Sequence, residues 1–144
     1  VRRARLALAA LLTAAPALAI PPPPADPAAD QDRVFGEEMV RQGRYALSIP
    51  FLIEATKRDP MVADTHVYLA FALRQVGRRD EAGVHYRFAL RLDPDNLWAL
   101  AYYGVMLLED GNRGEAEAKL AALRRLCPEG CGEREELERA LAAR

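Results

Sequence analysis

The chain has 144 residues, 51% of them hydrophobic and 28% charged, with 20 basic side chains against 21 acidic ones. That length and balance fit one small all-α domain and show none of the alternation of a β-rich chain. They exclude a basic nucleic-acid stripe, because the arginines are interspersed with acids along amphipathic segments, the pattern of a solvated face.

Residues Val1 to Ala19 read VRRARLALAALLTAAPALA: a positive start, an apolar run, then Ala17-Leu18-Ala19 as a small-x-small cleavage site. The pattern predicts a signal peptide over 1–19 and an exported, periplasmic protein. The apolar run is shorter than the ~20 residues of a spanning helix and Pro16 sits near its end, so no stable membrane insertion is expected after cleavage. No cysteine follows the run to carry a lipid. Arg2-Arg3 also fits a twin-arginine signal, with little around it to support that route. A valine in first place and the Ala/Arg-rich composition are expected of a GC-rich bacterial gene with a non-AUG start. Loss of Arg2, Arg3 and Arg5 takes 3 from the 20 basic residues and leaves 17 against 21 acidic ones, about −4 for the mature chain.

Residues 20–30, IPPPPADPAAD, read as a linker, since a proline run has fixed φ, few donors and an extended polyproline preference. A ligand for an aromatic groove is the sharper alternative. Beyond it, residues 31–144 form the domain. A first amphipathic helix is expected near Asp32 to Gln42, a turn at Gly43-Arg44, and a second helix to Arg58 that begins near Ala46 or Leu47. Pro50 then falls in its first turn, where a missing N–H costs nothing.

The stretch Ala63 to Pro94 holds a complete two-helix unit. Leu69, Ala70 and Leu73 share one face of a first helix; Ala82, Tyr86 and Ala89 share one face of a second; Gly77 lies between and Pro94 closes. Asp80 and Glu81 put negative charge at the start of the second helix, where unpaired N–H groups favour it. The flanking windows repeat the pattern. The first offers Phe35-Gly36, Met39, Gly43, Ser48, Leu52, Ala55 and Pro60; the third offers Tyr103-Gly104, Leu107, Gly111, Ala116, Leu120, Leu123 and Pro128. Ser48 departs from the small apolar residue expected there.

Cys127 and Cys131 follow in the sequence C-P-E-G-C. In an exported chain, so close an even pair reads as a disulfide, and Pro128 and Gly130 break the helix enough to bring the Cα atoms together. So short a loop contributes only about 2 kcal/mol in the chain-entropy picture. A redox-active or copper-binding pair is the alternative; it has neither a neighbouring histidine nor C-x-x-C spacing. The last helix, expected over 133–143, carries Leu137, Ala140 and Leu141 on one side and Arg134, Glu135, Glu138 and Arg139 on the other, as a capping helix would.

A period of ~34 residues with Pro60, Pro94 and Pro128 at that spacing resembles the tetratricopeptide (TPR) repeat family strongly. The ending LCPxGCxExxxL is similar to that of small secreted bacterial tetratricopeptide proteins, which adds location rather than chemistry. The resemblance implies a helix-turn-helix solenoid with repeats at about 29–62, 63–96 and 97–128 plus the cap. It also implies a concave groove lined by the first helix of each repeat. Carried onto this chain, the groove positions include Arg33, Glu37, Arg41, Phe71, Arg74, Gln75, Trp98, Val105 and Leu108. Arg33, Arg41 and Arg74 are expected to pair a ligand carboxylate, and Phe71, Trp98 and Leu108 to accept apolar side chains. Alternatively, Trp98 and Leu108 pack under the cap. The asparagines of the carboxylate-clamp subgroup are absent.

His66 and His85 lie on different helices of the middle repeat and read as packed boundary residues rather than ligands. No nucleophile–base pair, H-E-x-x-H or phosphate-cradling glycine loop is present, so no catalysis, metal or cofactor is expected. The expectation is an exported module that binds a protein or peptide in its groove. A periplasmic thiol-disulfide or copper-handling protein using Cys127 and Cys131 is one alternative. A self-associating structural module, such as a homodimer, is another.

Overall fold

The computed structural model describes residues 27–143. The predicted signal peptide and the proline run of the linker lie outside the described residues. The described chain is seven helices: α1 (Pro27–Arg41), α2 (Tyr45–Arg58), α3 (Ala63–Gln75), α4 (Arg79–Leu92), α5 (Leu97–Glu109), α6 (Arg113–Leu126) and α7 (Gly132–Ala142). α1 pairs with α2, α3 with α4 and α5 with α6, and the three hairpins stack in order, with α7 packed on α5 and α6.

Each hairpin turns in the same way. Gly43, Gly77 and Gly111 hold φ of 73°, 84° and 82°, a left-handed conformation that costs an L side chain roughly 1–2 kcal/mol. In the first turn Gly43 N–H donates to Val40 O at 2.9 Å and Arg44 N–H to Met39 O at 2.8 Å; the second and third repeat both bonds. These bonds satisfy carbonyls that the helix end leaves open.

Small residues set the helix spacing. A Cβ on Gly36 would come 2.6 Å from Leu52 Cγ of α2, and one on Gly104 would come 2.6 Å from Leu137 Cδ2 of α7. Gly104 is therefore what lets the cap seat, with Leu137 fully buried beneath it. Leu52, Leu69, Leu73, Tyr86 and Leu123 are likewise fully buried in one continuous core.

Two helix boundaries differ from expectation. α1 starts at Pro27, inside the stretch read as linker, because proline suits a first helical position and Asp30 supplies first-turn negative charge. α2 starts at Tyr45, so Pro50 lies beyond its first turn. Ala46 and Pro50 are both exposed, so water can reach the carbonyl that proline leaves unbonded. Ser48 is buried at no hydrogen-bond loss, since its Oγ donates to Tyr45 O at 2.8 Å.

Ion pairs tie the second hairpin to the third. Arg79 Nη1 lies 2.9 Å from Glu109 and its Nη2 2.6 Å from Asp110. The same guanidinium donates to Met106 O at 3.1 Å, meeting the negative end of α5 with positive charge.

Candidate functional site: a concave aromatic groove

The groove is built by α1, α3 and α5, helped by the first residue of α2. A cavity of about 390 Å³ is lined by Val40, Arg41, Tyr45, Val67, Tyr68, Phe71, Trp98 and Tyr102. Phe71 and Tyr102 also line an adjoining cavity of about 460 Å³ with Arg74, Gln75, Val105, Gly132, Glu133 and Glu136. The shared residues make the two cavities one trough running from α1 to the cap.

Aromatic rings hold one another in place along it. Phe71 sits 5.8 Å from Tyr45 and 4.9 Å from Tyr102, and Tyr68 meets Trp98 edge-on at 5.7 Å, centroid to centroid. Trp98 is 39% exposed, and its Nε1–H donates to Glu133 Oε1 of the cap at 2.7 Å. Half-exposed rings fixed at several edges lose little conformational freedom when a ligand covers them, which favours binding. Burial pushes the hydroxyls of Tyr68 and Tyr102 above the ordinary tyrosine value, helped by Glu37 beside the first and by Glu133 and Glu136 beside the second. Both are therefore neutral at physiological pH and able to donate a hydrogen bond.

The arginines are occupied within the chain. Arg74 Nε donates to Glu109 Oε2 at 3.0 Å and its Nη2 to Oε1 at 2.5 Å. Arg41 Nε donates to Glu38 at 3.1 Å, with Glu37 3.8 Å away. Arg33 pairs with Asp30 and, at 2.8 Å, with Glu37. A ligand carboxylate would have to displace these internal partners, which leave Arg41 and Arg74 already paired on the trough wall.

The structure brings Arg41, Phe71, Arg74, Gln75, Trp98 and Val105 to the trough. It places Arg33 elsewhere, in a separate hollow with Ala29, Asp30, Ala55, Asp59, Val62 and Thr65. Glu37 is buried and ion-paired. Leu108, at 6% exposure, belongs to the core, which corrects its placement in the groove and agrees with the alternative that it packs inside. Tyr45, Tyr68, Tyr102, Glu133 and Glu136 were missed. Tyr68 and Tyr102 stand one repeat apart, and that spacing was the available signal.

Two further clusters stand apart from the trough residues. His66 Nε2–H donates to Pro60 O at 2.9 Å, and its Nδ1 faces His85 Nδ1 at 3.0 Å. With His66 protonated on Nε2, its Nδ1 is the acceptor and His85 supplies the proton. Burial lowers both histidine pKa values, and for His85 the neighbouring His66 adds to the effect. In the α6–α7 loop the Cys127 and Cys131 sulfurs are at disulfide distance, with Cα atoms 6.0 Å apart. Arg134 Nη1 donates to Cys127 O and Pro128 O at 3.2 and 2.9 Å, a second tie between loop and cap. No group of three or more metal-ligating side chains occurs among the described residues, and no described helix is long and apolar enough to cross a membrane.

No family model matches the sequence, and no curated protein matches it. Solved structures do. The TPR2B domain of yeast Sti1, in complex with an Hsp70 peptide, superposes with a TM-score of 0.74 at 20% identity, covering 81% of this chain and 95% of that one. The first TPR of Spaghetti (RPAP3), bound to the HSP90 peptide SRMEEVD, gives 0.71 at 19% identity, covering 81% and 92%. A point mutant of MamA gives 0.64 at 25% identity, covering 71% and 74%. The architecture is a tetratricopeptide-repeat solenoid of three helical hairpins with a C-terminal capping helix.

Proposed function

We propose that the chain is an exported interaction module that holds a peptide or protein partner in the trough between α1, α3 and α5 and has no catalysis of its own. The observation that carries this reading is the continuous row Tyr45, Tyr68, Phe71, Trp98 and Tyr102, partly open and mutually braced in a concave surface. Clustered aromatic anchors of this kind dominate binding energy in interfaces. Domains of the same fold in Sti1 and Spaghetti are seen with Hsp70 and HSP90 peptides, which supports a peptide as the occupant here. The HSP90 peptide SRMEEVD bound to Spaghetti is acidic, whereas the trough arginines of this chain already hold internal carboxylates. A segment with apolar or aromatic side chains at its centre suits these walls better. Export rests on the pattern of residues 1–19, with the working domain beginning at α1, Pro27–Arg41, rather than at residue 31.

The test is a pull-down from periplasmic extract of the native host with the wild type, with Phe71→Ala/Trp98→Ala and with Cys127→Ser/Cys131→Ser, each checked by circular dichroism. A partner lost only with the folded groove variant supports the reading. A partner lost only with the folded cysteine variant replaces it with thiol or metal chemistry.

A further inference from the structure

The two ends of the stack are finished differently. At the C-terminal end α7 covers the third hairpin and presents Glu135, Glu136 and Arg139 outward, with Arg139 paired to Glu136 at 2.8 Å. At the N-terminal end no described helix covers the first hairpin. Phe35 is 48% exposed, whereas its equivalents one and two repeats on, Leu69 and Tyr103, are 0% and 5% exposed. Tyr103 lies under Tyr86 of the preceding hairpin, with centroids 5.6 Å apart. Phe35 thus occupies a position that stacking buries elsewhere in the same molecule.

The first repeat also adds apolar surface where the others carry polar groups. Leu47, 51% exposed, stands at the register of Glu81 and Glu115. Phe51 stands at that of His85 and Lys119, and its ring meets Phe35 at 4.8 Å. Leu47, Phe51, Glu54 and Arg58 follow one stripe of α2 by helical spacing. The charges near this stripe are neutralised locally, Glu54 by Lys57 at 2.7 Å and Arg58 by Asp32 at 3.8 Å. Arg44, exposed at the head of the same stripe, adds one positive charge, too little to select an acidic or basic partner or to repel a second copy strongly.

We infer that this end of the solenoid is the contact surface of a closed two-fold pair, Phe35, Leu47 and Phe51 of one copy packing on the same residues of a second. The charge pattern of the two ends selects that occupant. Head-to-tail stacking would bury the charged outer face of α7 against an apolar surface, which is costly. The apolar end therefore matches another apolar end, and such an isologous contact closes after two copies. A face two helices wide and ~21 Å long is smaller than the ~800 Å² per partner of a standard interface, so the pair is of modest affinity.

The experiment is sedimentation equilibrium of the full chain across a concentration series reaching roughly 100 µM, where a micromolar pair forms. The comparison is Leu47→Glu/Phe51→Lys, which installs the third repeat's own residues at exposed and half-exposed sites, with circular dichroism confirming the fold. The inference expects the wild type to approach twice the 15.9 kDa chain mass, the variant to remain at one chain mass, and Phe71→Ala to pair like wild type. A monomeric wild type, a variant that still pairs, or a mass that climbs past two chains would each overturn it.

Discussion

Arg74 at the end of α3 and Glu109 at the end of α5 form a two-bond pair, 3.0 Å from Nε to Oε2 and 2.5 Å from Nη2 to Oε1, joining the second repeat to the third along the groove wall. Arg74 is the more enclosed partner, and Arg79 holds the other side of Glu109. Hydrogen bonding from Arg74 keeps the Glu109 carboxyl below the usual carboxylate range, with Arg79 adding to it against the opposing effect of burial.

Arg74→Met leaves Glu109 to Arg79 alone. The expected loss is about 1–3 kcal/mol by urea denaturation, of which Arg74→Met/Glu109→Gln recovers part because the carboxylate is then also gone. Because the folded pKa of Glu109 is depressed, its stabilisation is present above the unfolded carboxylate value and disappears as pH falls through the folded one. An Arg74→Met variant as stable as wild type would show that the pair holds nothing.

The histidine pair predicts loss of stability in mild acid. Both folded pKa values lie below the ordinary histidine value near 6.5, chiefly through burial. Below that pH the unfolded chain therefore binds protons that the folded chain refuses. Stability is full above about pH 6.5 and falls as pH drops toward the folded values, since burial opposes charging either ring. Thermal midpoints from pH 8 to 5 for wild type and His85→Phe check this, Phe51 being the first repeat's residue at that register. A slope that is unchanged in the variant would contradict it.

Gly104→Ala forces a methyl to within 2.6 Å of Leu137 Cδ2 and 3.0 Å of Cδ1. Overpacking of this kind costs about 1–3 kcal/mol. It should lift α7 and weaken the Trp98–Glu133 bond, visible as a shift in tryptophan emission. Gly104→Ala/Leu137→Ala removes the clash and should restore the emission, though not the lost core volume.

Cys127→Ser/Cys131→Ser removes a link closing a very short loop, worth at most about 2 kcal/mol in the chain-entropy picture. Arg134 still ties α7 to the Cys127 and Pro128 carbonyls, and Leu137 still fills the space under Gly104. The expected result is a lower chemical-denaturation midpoint with the helical spectrum intact. An unfolded double variant would make the cysteines essential to the cap.

The repeat architecture was legible because each turn states its own requirement. Gly43, Gly77 and Gly111 all take positive φ, and Pro60, Pro94 and Pro128 punctuate the hairpins at the same interval. The groove was legible only in part. Phe71, Trp98 and Val105 line the trough, whereas Leu108 is buried in the core. Tyr68 and Tyr102, one repeat apart, also line the trough but were not among the positions the family register named. Glu133 and Glu136 depend on how α7 docks, which a contact between Gly104 and Leu137 decides and no local pattern announces. The closure of Arg74 by Glu109 was hidden because their helices meet only in the folded stack.

The central claim is that the aromatic trough is the binding site, and selection of a displayed random-peptide library on the wild type tests it most directly. An enriched peptide is then titrated calorimetrically into the wild type, Phe71→Ala/Trp98→Ala and Leu47→Glu/Phe51→Lys, with folding confirmed for each. The account predicts enrichment of peptides with central aromatic or apolar residues and at least about tenfold weaker binding to the groove variant, equivalent to ~1.4 kcal/mol. It also predicts unchanged binding to the Leu47/Phe51 variant. No enrichment, or peptides that bind the folded groove variant as tightly as the wild type, would contradict it.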